Sequence, residues 1–417
     1  GGASVRDASA VRNVAEILRE RQAVPVLVVV SAMGKTTNAL ERVVEAHCNR
    51  SGDAYALLAE VRAYHSDILH ALFDDRSHPV YDRIANLFVE IEWVLEEEPR
   101  STDFVYDQIV SMGELMSSRI ISDYLAEQGV SNRWIDVRDC ILTDNTYREG
   151  KVDWGQTTIR CKNVLSGYLQ DDMSCVVTQG FIASTSENFS TTLGREGSDY
   201  TAAILAHVLD ADSVTIWKDV PGVLNADPKF FAEAQKLEQL SYQDAIELAY
   251  YGASVIHPKT IKPLENKGIP LWVKSFLQPQ GKGTVVGKDL QTKPQVPSYI
   301  FKSDQVLISI SAKDFSFIAE ENLSRIFGVF AELGVKMNLM QNSAISFSVC
   351  ADEHPVKTPL LIERLRADFR VRYNTGLQLY TIRYYYPSTI DSVTHGREVL
   401  LEQRSRTTAQ LVMKQQL

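Results

Sequence analysis

The segment TTLGREGSDYTAAILA, Thr191 to Ala206, concentrates residue types that can grip an anion. Gly194 and Gly197 leave backbone amides uncovered just before an alanine-rich run that reads as a helix from Ser198. Free amides at a helix start attract carboxylate or phosphate. Arg195 adds a guanidinium able to take a carboxylate bidentately. Asp199 falls in the first helical turn, where negative charge is favoured. A plainer reading also exists, with Ser198 as the N-cap and Asp199 as a partner for the helix dipole. Two glycines, an arginine and an acid within so few residues favour binding chemistry.

A second stretch, VLVVVSAMGKTTN, runs an apolar strand into Gly34-Lys35-Thr36. A P-loop needs another glycine five residues before its Gly-Lys pair, so that amides can wrap the phosphates. That position is Val29, inside the strand. The nucleotide-loop reading fails, and Lys35 is a rim lysine. Ser31, Thr36, Thr37 and Asn38 remain as small hydrogen-bonding groups at the end of a strand.

The elements that must position these groups alternate. Short β-branched runs at Val26–Val30, Trp134–Val137, Cys175–Thr178, Val214–Trp217 and Ile269–Lys274 read as strands. Helices are expected over Val11–Arg21, Gly113–Glu127, Ser198–Leu209 and Ser241–Tyr250, and a helical insertion over about residues 55–98. This is the rhythm of a mainly parallel sheet covered by helices, in which ligands gather beyond the carboxyl ends of the strands. Gln179-Gly180-Phe181, Lys218-Asp219 through Lys229, and Lys274-Ser275 occupy such ends and compose a phosphate-handling rim.

A Pro/Gly-bearing change of composition follows, and a linker is placed at 289–298. Beyond it, residues 299–417 follow a β-α-β-β-α-β order, the ferredoxin-like plan. In that region Asn322 is expected to cap a helix that Gly334 stops.

Bulk properties exclude other classes. The 417 residues are 45% hydrophobic and 23% charged, enough for two or three ordinary globular domains. A net charge of -10 argues against nucleic-acid binding. No apolar run approaches the ~20 residues of a membrane span, and no signal peptide is evident. Cys48, Cys140, Cys161, Cys175 and Cys350 form no CxxC pair, which fits reduced thiols in a cytoplasm and no zinc site.

TTLGREGSDYTAA, SMGELMS, VTQGFIAS, KDVPGV…ADP and YGASVIHPKTI together resemble, in order and spacing, the signature segments of aspartokinases in the amino-acid kinase family. Gly1-Gly2-Ala3-Ser4 resembles that family's K-F-G-G-T-S loop, whose lysine would lie two residues before Gly1, and an N-terminal strand is expected there. The tail resembles the ACT regulatory region. The resemblance implies a catalytic domain over 1–288 and an ACT region over 299–417, with a short second ACT unit from about Tyr380.

The resemblance further implies phosphoryl transfer from ATP, with Mg²⁺, to L-aspartate, at the first step toward lysine, threonine and methionine. Glu114 would hold the substrate ammonium and Arg195 its α-carboxylate. Ser31, Thr37 and Ser198 would hydrogen-bond the substrate, and Phe181 would shape the pocket. Asp199 would orient the machinery. Gly1, Gly2 and Ser4 would meet the phosphates. Lys218, Asp219, Leu224, Asp227, Lys229 and Ser254 would line the nucleotide side. Leu224, Lys229 and Ser254 depart from the family's usual residues. His257 reads as a turn histidine.

Asn338, Gln341, Asn342 and Ser343 would receive an inhibitory amino acid, lysine or threonine, with homodimers or larger assemblies forming through ACT sheets. A fused homoserine dehydrogenase is not expected. The competing readings are a kinase for another amino acid or carbamate, and an amino-acid sensor that has lost catalysis.

Overall fold

The computed structural model describes residues 1–20, 24–170, 175–253, 256–314 and 317–415. The chain divides into two compact units. The first comprises Gly1–Val223, Glu238–Ile246 and Val255–Gln291, and the second Leu224–Leu237, Glu247–Ser254 and Thr292–Leu417.

In the first unit the run Val26–Val30 is a strand, parallel to Cys175–Gln179, which pairs on its other side with Arg133–Trp134. All five residues of Cys175–Gln179 are buried, as its unbroken apolar start requires of a central parallel strand. A second sheet orders Val214–Lys218, Leu271–Ser275, Thr284–Gly287 and Gln239–Ser241, with one antiparallel pair in the middle. Pairing is thus mainly parallel, as the alternating pattern predicts.

The insertion resolves into helices Ala54–Leu72 and Val80–Glu96. Leu58, Val61, Ile68, Leu69, Ile84, Phe88 and Ile91 recur at helical spacing and are buried in the same core as the helix Thr102–Glu127. That long helix starts well before the expected Gly113, capped by the Ser101 side chain, which accepts the Phe104 N–H. It is buried nearly all round, so its polar residues are costly unless they serve a purpose. Helices at Thr36–Asn49, Trp154–Gln170 and Pro258–Lys267 were not separated in the sequence pattern. His257 is the cap of the last of these: its Nδ1 accepts the Lys259 N–H.

The second unit carries a six-stranded antiparallel sheet. Strand Ser298–Ala312, helix Glu320–Glu332, strands Met337–Asn342 and Phe347–Asp352, helix Lys357–Asp368 and strand Phe369–Arg383 give the βαββαβ order. The two fifteen-residue strands, Ser298–Ala312 and Phe369–Arg383, pair along nearly their whole length and continue into a further half built from Pro387–Thr394, Val399–Arg404 and Thr408–Lys414. Their register breaks around Lys302, Gln305 and Leu307, where Asp304 turns left-handed at φ 51°. That break separates a core around Ile308, Phe330 and Val349 from one around Tyr380, Ile382 and Leu411. Asn322 is not the cap: its helix begins two residues earlier, at Glu320, and its amide donates to the Phe317 carbonyl at 3.2 Å. Among the described residues no helix is long and apolar enough to cross a membrane.

Candidate active site

A cavity of about 520 Å³ in the first unit gathers Gly1, Gly2, Ser31, Thr37, Glu114, Phe181, Arg195, Ser198, Asp199 and Lys218 from distant parts of the chain. Gly113 explains how Glu114 gets there. A Cβ at that position would stand 3.2 Å from both Ala32 Cβ and Thr36 Cγ2. Its absence lets the long helix lie against the 31–38 loop, and the Ala32 N–H donates to Glu114 Oε1 at 3.3 Å. Glu114 is 2% exposed, and its Oε2 has no partner among the described residues. Burial raises its pKa to about 8 against the opposing pull of the Ala32 N–H. A buried carboxyl with one oxygen unspent fits a cationic ligand group.

The 31–38 loop is held from below. Gly34 sits at φ 55°, and its N–H donates to the Gly2 carbonyl at 3.1 Å. A Cβ on Gly2 would lie 2.7 Å from the Gly34 oxygen, so the two turns nest only because residue 2 is glycine. Thr36 Oγ1 donates to the Met33 carbonyl at 2.7 Å and opens the Thr36–Asn49 helix, which leaves Thr37 on the cavity and Lys35 exposed outside it. Ser4 takes a supporting role instead of lining the cavity: its hydroxyl donates to the Trp217 carbonyl at 3.3 Å.

The arginine-bearing turn closes the opposite wall. Its helix begins at Gly197 with left-handed Glu196 at the cap position, so Ser198 is inside the first turn and is not the N-cap. Cβ atoms at Gly180 and Gly197 would stand 2.5 Å from Ser198 Cβ and Phe181 Cδ2. These glycines let the Phe181 turn pack directly on the helix start. The Phe181 N–H donates to Thr201 Oγ1 at 3.0 Å, fixing the ring's backbone at φ 68°. Arg195 is exposed on the cavity and makes no hydrogen bond or ion pair among the described residues. Lys218, at the end of its strand, donates from Nζ to Asp199 Oδ2 at 2.9 Å. Burial works against the Lys218 charge, but the Asp199 carboxylate outweighs it and raises the lysine's pKa.

Five lining or supporting residues escaped the sequence reading. Tyr106, Arg148, Glu149 and Glu196 line the cavity. Asp107, 0% exposed, accepts the Arg148 N–H at 2.9 Å, the Thr192 N–H at 3.0 Å and the Thr192 hydroxyl at 2.7 Å. Burial raises Asp107 to about 6 despite those donors. The available signal was the i, i+7 spacing of Asp107 and Glu114, which sets two acids on one face of a buried helix. Burial also raises the pKa of Glu196, whose Oε2 has no partner among the described residues.

The remaining expected residues lie elsewhere. Asp219 is exposed beside Lys218. Leu224, Asp227 and Lys229 belong to the second unit, where Asp227 Oδ1 accepts the Lys229 N–H at 2.9 Å and Leu224 bridges to Lys236. Ser254 lies outside the described residues. Among the expected effector residues, Asn338 is spent internally. Its amide donates to Gln305 Oε1 and Asp352 Oδ1 at 2.8 and 2.7 Å, and its carbonyl accepts from Lys302 Nζ at 2.9 Å. Gln341 and Asn342 are exposed, and the Ser343 hydroxyl donates to the Ser346 carbonyl at 3.1 Å.

Comparison with known proteins adds to this geometry. Residues 1–275 match the amino acid kinase family. The lysine-sensitive aspartokinase 3 of Escherichia coli is 31% identical over 393 residues, which cover 91% of this chain and 84% of that protein. The crystal structure of E. coli aspartokinase III in complex with aspartate and ADP (R-state) superposes with a TM-score of 0.84 at 28% identity, covering 99% of this chain and 95% of that one. Its T-state complex with lysine and aspartate gives 0.82 at 28% identity, covering 99% and 94%.

Proposed function

The chain belongs to the aspartokinases within the amino acid kinase family, and from that premise we propose how its cavity moves a phosphoryl group from ATP to the side-chain carboxylate of L-aspartate. The observation that carries the assignment is Glu114, a buried carboxyl with a vacant oxygen, in one cavity with an uncommitted Arg195. An α-amino acid presents an ammonium and a carboxylate, which this pair matches. Thr37, Ser31 and Ser198 add hydrogen bonds, and Phe181 limits the width. The side-chain carboxylate then faces the Lys218 side of the cavity.

Aspartate's carboxylate is already ionised near pH 7, so the step needs no general base. Its oxygen forms the new bond to the γ-phosphorus as the bond from phosphorus to the ADP oxygen breaks. The protein's work is alignment and neutralisation of charge on the phosphoryl oxygens. Lys218 supplies that charge, Asp199 fixes its direction, and the Gly1 and Gly2 amides add donors.

Mg²⁺, when bound with the nucleotide, would supply further neutralisation of phosphate charge, with Glu196 and Asp199 as the carboxylates that would hold it. The residues present fit this: Glu196 keeps a buried, unpartnered carboxylate oxygen at the cavity, and Asp199 lies three residues on.

Arg195→Ala tests the assignment. Losing a bidentate, charge-assisted contact costs about 2–4 kcal/mol. Aspartate use should therefore fall steeply while the KM for ATP changes little. Equal loss for both substrates in steady-state kinetics would contradict the carboxylate role.

Regulation follows from the second unit. Gln341 and Asn342 end an edge strand and Ser343 follows it, and the strand's open backbone also suits pairing with a second copy of the chain. The relative named above is lysine-sensitive, and lysine is the favoured effector over threonine. An effector changes catalysis only by preferring one of two states, with a coupling of roughly 1–3 kcal/mol. Gln341→Ala should relieve lysine inhibition and leave basal turnover intact. Calorimetry with lysine and with threonine checks this, and absence of binding by both below millimolar concentration would assign the tail to assembly instead.

A further inference from the structure

Arg148 belongs to no helix or strand, yet its side chain lines the amino-acid cavity with Glu114 and Arg195. Its backbone is left-handed at φ 67°, a conformation that strains any residue with a Cβ. Such strain persists only where the surroundings enforce it. Here they do: fully buried Asp107 accepts the Arg148 N–H and ties the same turn to Thr192. Gly194 completes the arrangement, since a Cβ there would stand 3.2 Å from Glu149 Cγ and 3.4 Å from the Arg148 carbonyl. The turns bearing Arg148 and Arg195 are thus packed against each other.

The guanidinium has fixed neighbours as well. It lies 4.0 Å from the centroid of the Tyr106 ring, hydrogen-bonds Glu41 Oε1 at 3.0 Å and stands 3.6 Å from Asp103. Glu41 sits one helical turn after Thr37, on the same face of its helix. The Arg148 side chain is 41% exposed, so solvent screens both ion pairs. The bond to Glu41 uses one of five guanidinium donors. A backbone-anchored arginine over an aromatic ring, at a cavity that receives a doubly carboxylated ligand, has donors to offer it.

We propose that Arg148 is a second carboxylate-recognising guanidinium of this cavity, sharing the anionic groups of L-aspartate with Arg195 and favouring a dicarboxylic amino acid. The assignment rests on the amino-acid reading of the cavity given above. It differs from a brace between two helices in what it does to each substrate.

Arg148→Gly is the informative variant, because glycine accepts the left-handed backbone without strain. Its unfolding temperature should equal or exceed that of the wild type. The KM for L-aspartate should rise about 10- to 50-fold, with kcat and the KM for ATP within about threefold, the pattern of lost ground-state binding. Competitive inhibition by succinate, which has both carboxylates and no ammonium, should weaken by a similar factor. Arg148→Gln, which keeps the side chain's length without its charge, should show the same split. An aspartate KM within about twofold of the wild type, or equal rises in both KM values, overturns the proposal. A wild-type protein that does not phosphorylate aspartate overturns the underlying reading as well, and that is seen before any variant is compared.

Discussion

Glu114→Gln should raise the KM for L-aspartate about 30- to 1000-fold and, at the same time, make the free protein more stable at pH 7.5. The first effect is the loss of a buried partner for an ammonium, about 2–4 kcal/mol. The second has the opposite sign because burial raises the folded-state pKa of Glu114 from 4.5 to about 8. The folded chain therefore holds this proton more tightly than the unfolded chain. The stability contribution is fully present below the ordinary carboxyl pKa and is lost as pH rises toward about 8. Glutamine, which never ionises, removes a penalty on the order of 4 kcal/mol at pH 7.5.

The same logic links substrate binding to protons. Glu114 must ionise to meet the ammonium, so kcat/KM for aspartate should climb through neutral pH toward about 8. Calorimetry in two buffers of different ionisation enthalpy should register proton release on binding. A variant that loses both aspartate binding and stability would show Glu114 to be a structural carboxyl.

Asp199→Asn should lower kcat about 10²- to 10³-fold, the usual scale for removing one preorganised charge at a reacting centre. Its partner is Lys218, at 2.9 Å, with 10% of the aspartate side chain and 23% of the lysine side chain exposed. Asparagine can still accept the hydrogen bond but cannot offset the lysine's charge. The variant should therefore also lose about 1–3 kcal/mol of stability, more than a surface helix-dipole contact would cost. Chemical denaturation alongside initial rates separates the two effects. Unchanged turnover with reduced stability would make the pair a brace between strand and helix.

What the sequence disclosed and what it hid follow from how far apart the interacting residues lie. Gly194, Arg195, Gly197, Ser198 and Asp199 are neighbours along the chain, so their gathering on one wall of the cavity was legible from residue types alone. The pairing of Asp199 with Lys218 depends on a strand end reaching a helix start, which no local pattern encodes. Asp107 reads as one more residue of a helix until the structure brings it Arg148 and Thr192, respectively 41 and 85 positions away. Arg148 was invisible because a left-handed turn is normally announced by glycine, and here the backbone is forced by an anchor instead.

The resemblance to ACT regions placed Asn338 among the effector residues. The register shift between Met337 and Leu339 goes with an amide committed to Lys302, Gln305 and Asp352. The β-branched runs at Val26 and Cys175 carried no such irregularity, and they fold as strands where the pattern put them.

The most direct measurement is ADP release by the full-length protein with ATP and Mg²⁺ across a panel of amino acids, with hydroxylamine present to trap an acyl phosphate. L-Aspartate alone in the panel should drive ADP release, with aspartyl hydroxamate formed in equal amount. L-Aspartate that binds by calorimetry yet leaves ADP at background would contradict it, and would make the protein a sensor of the amino acid instead of its kinase.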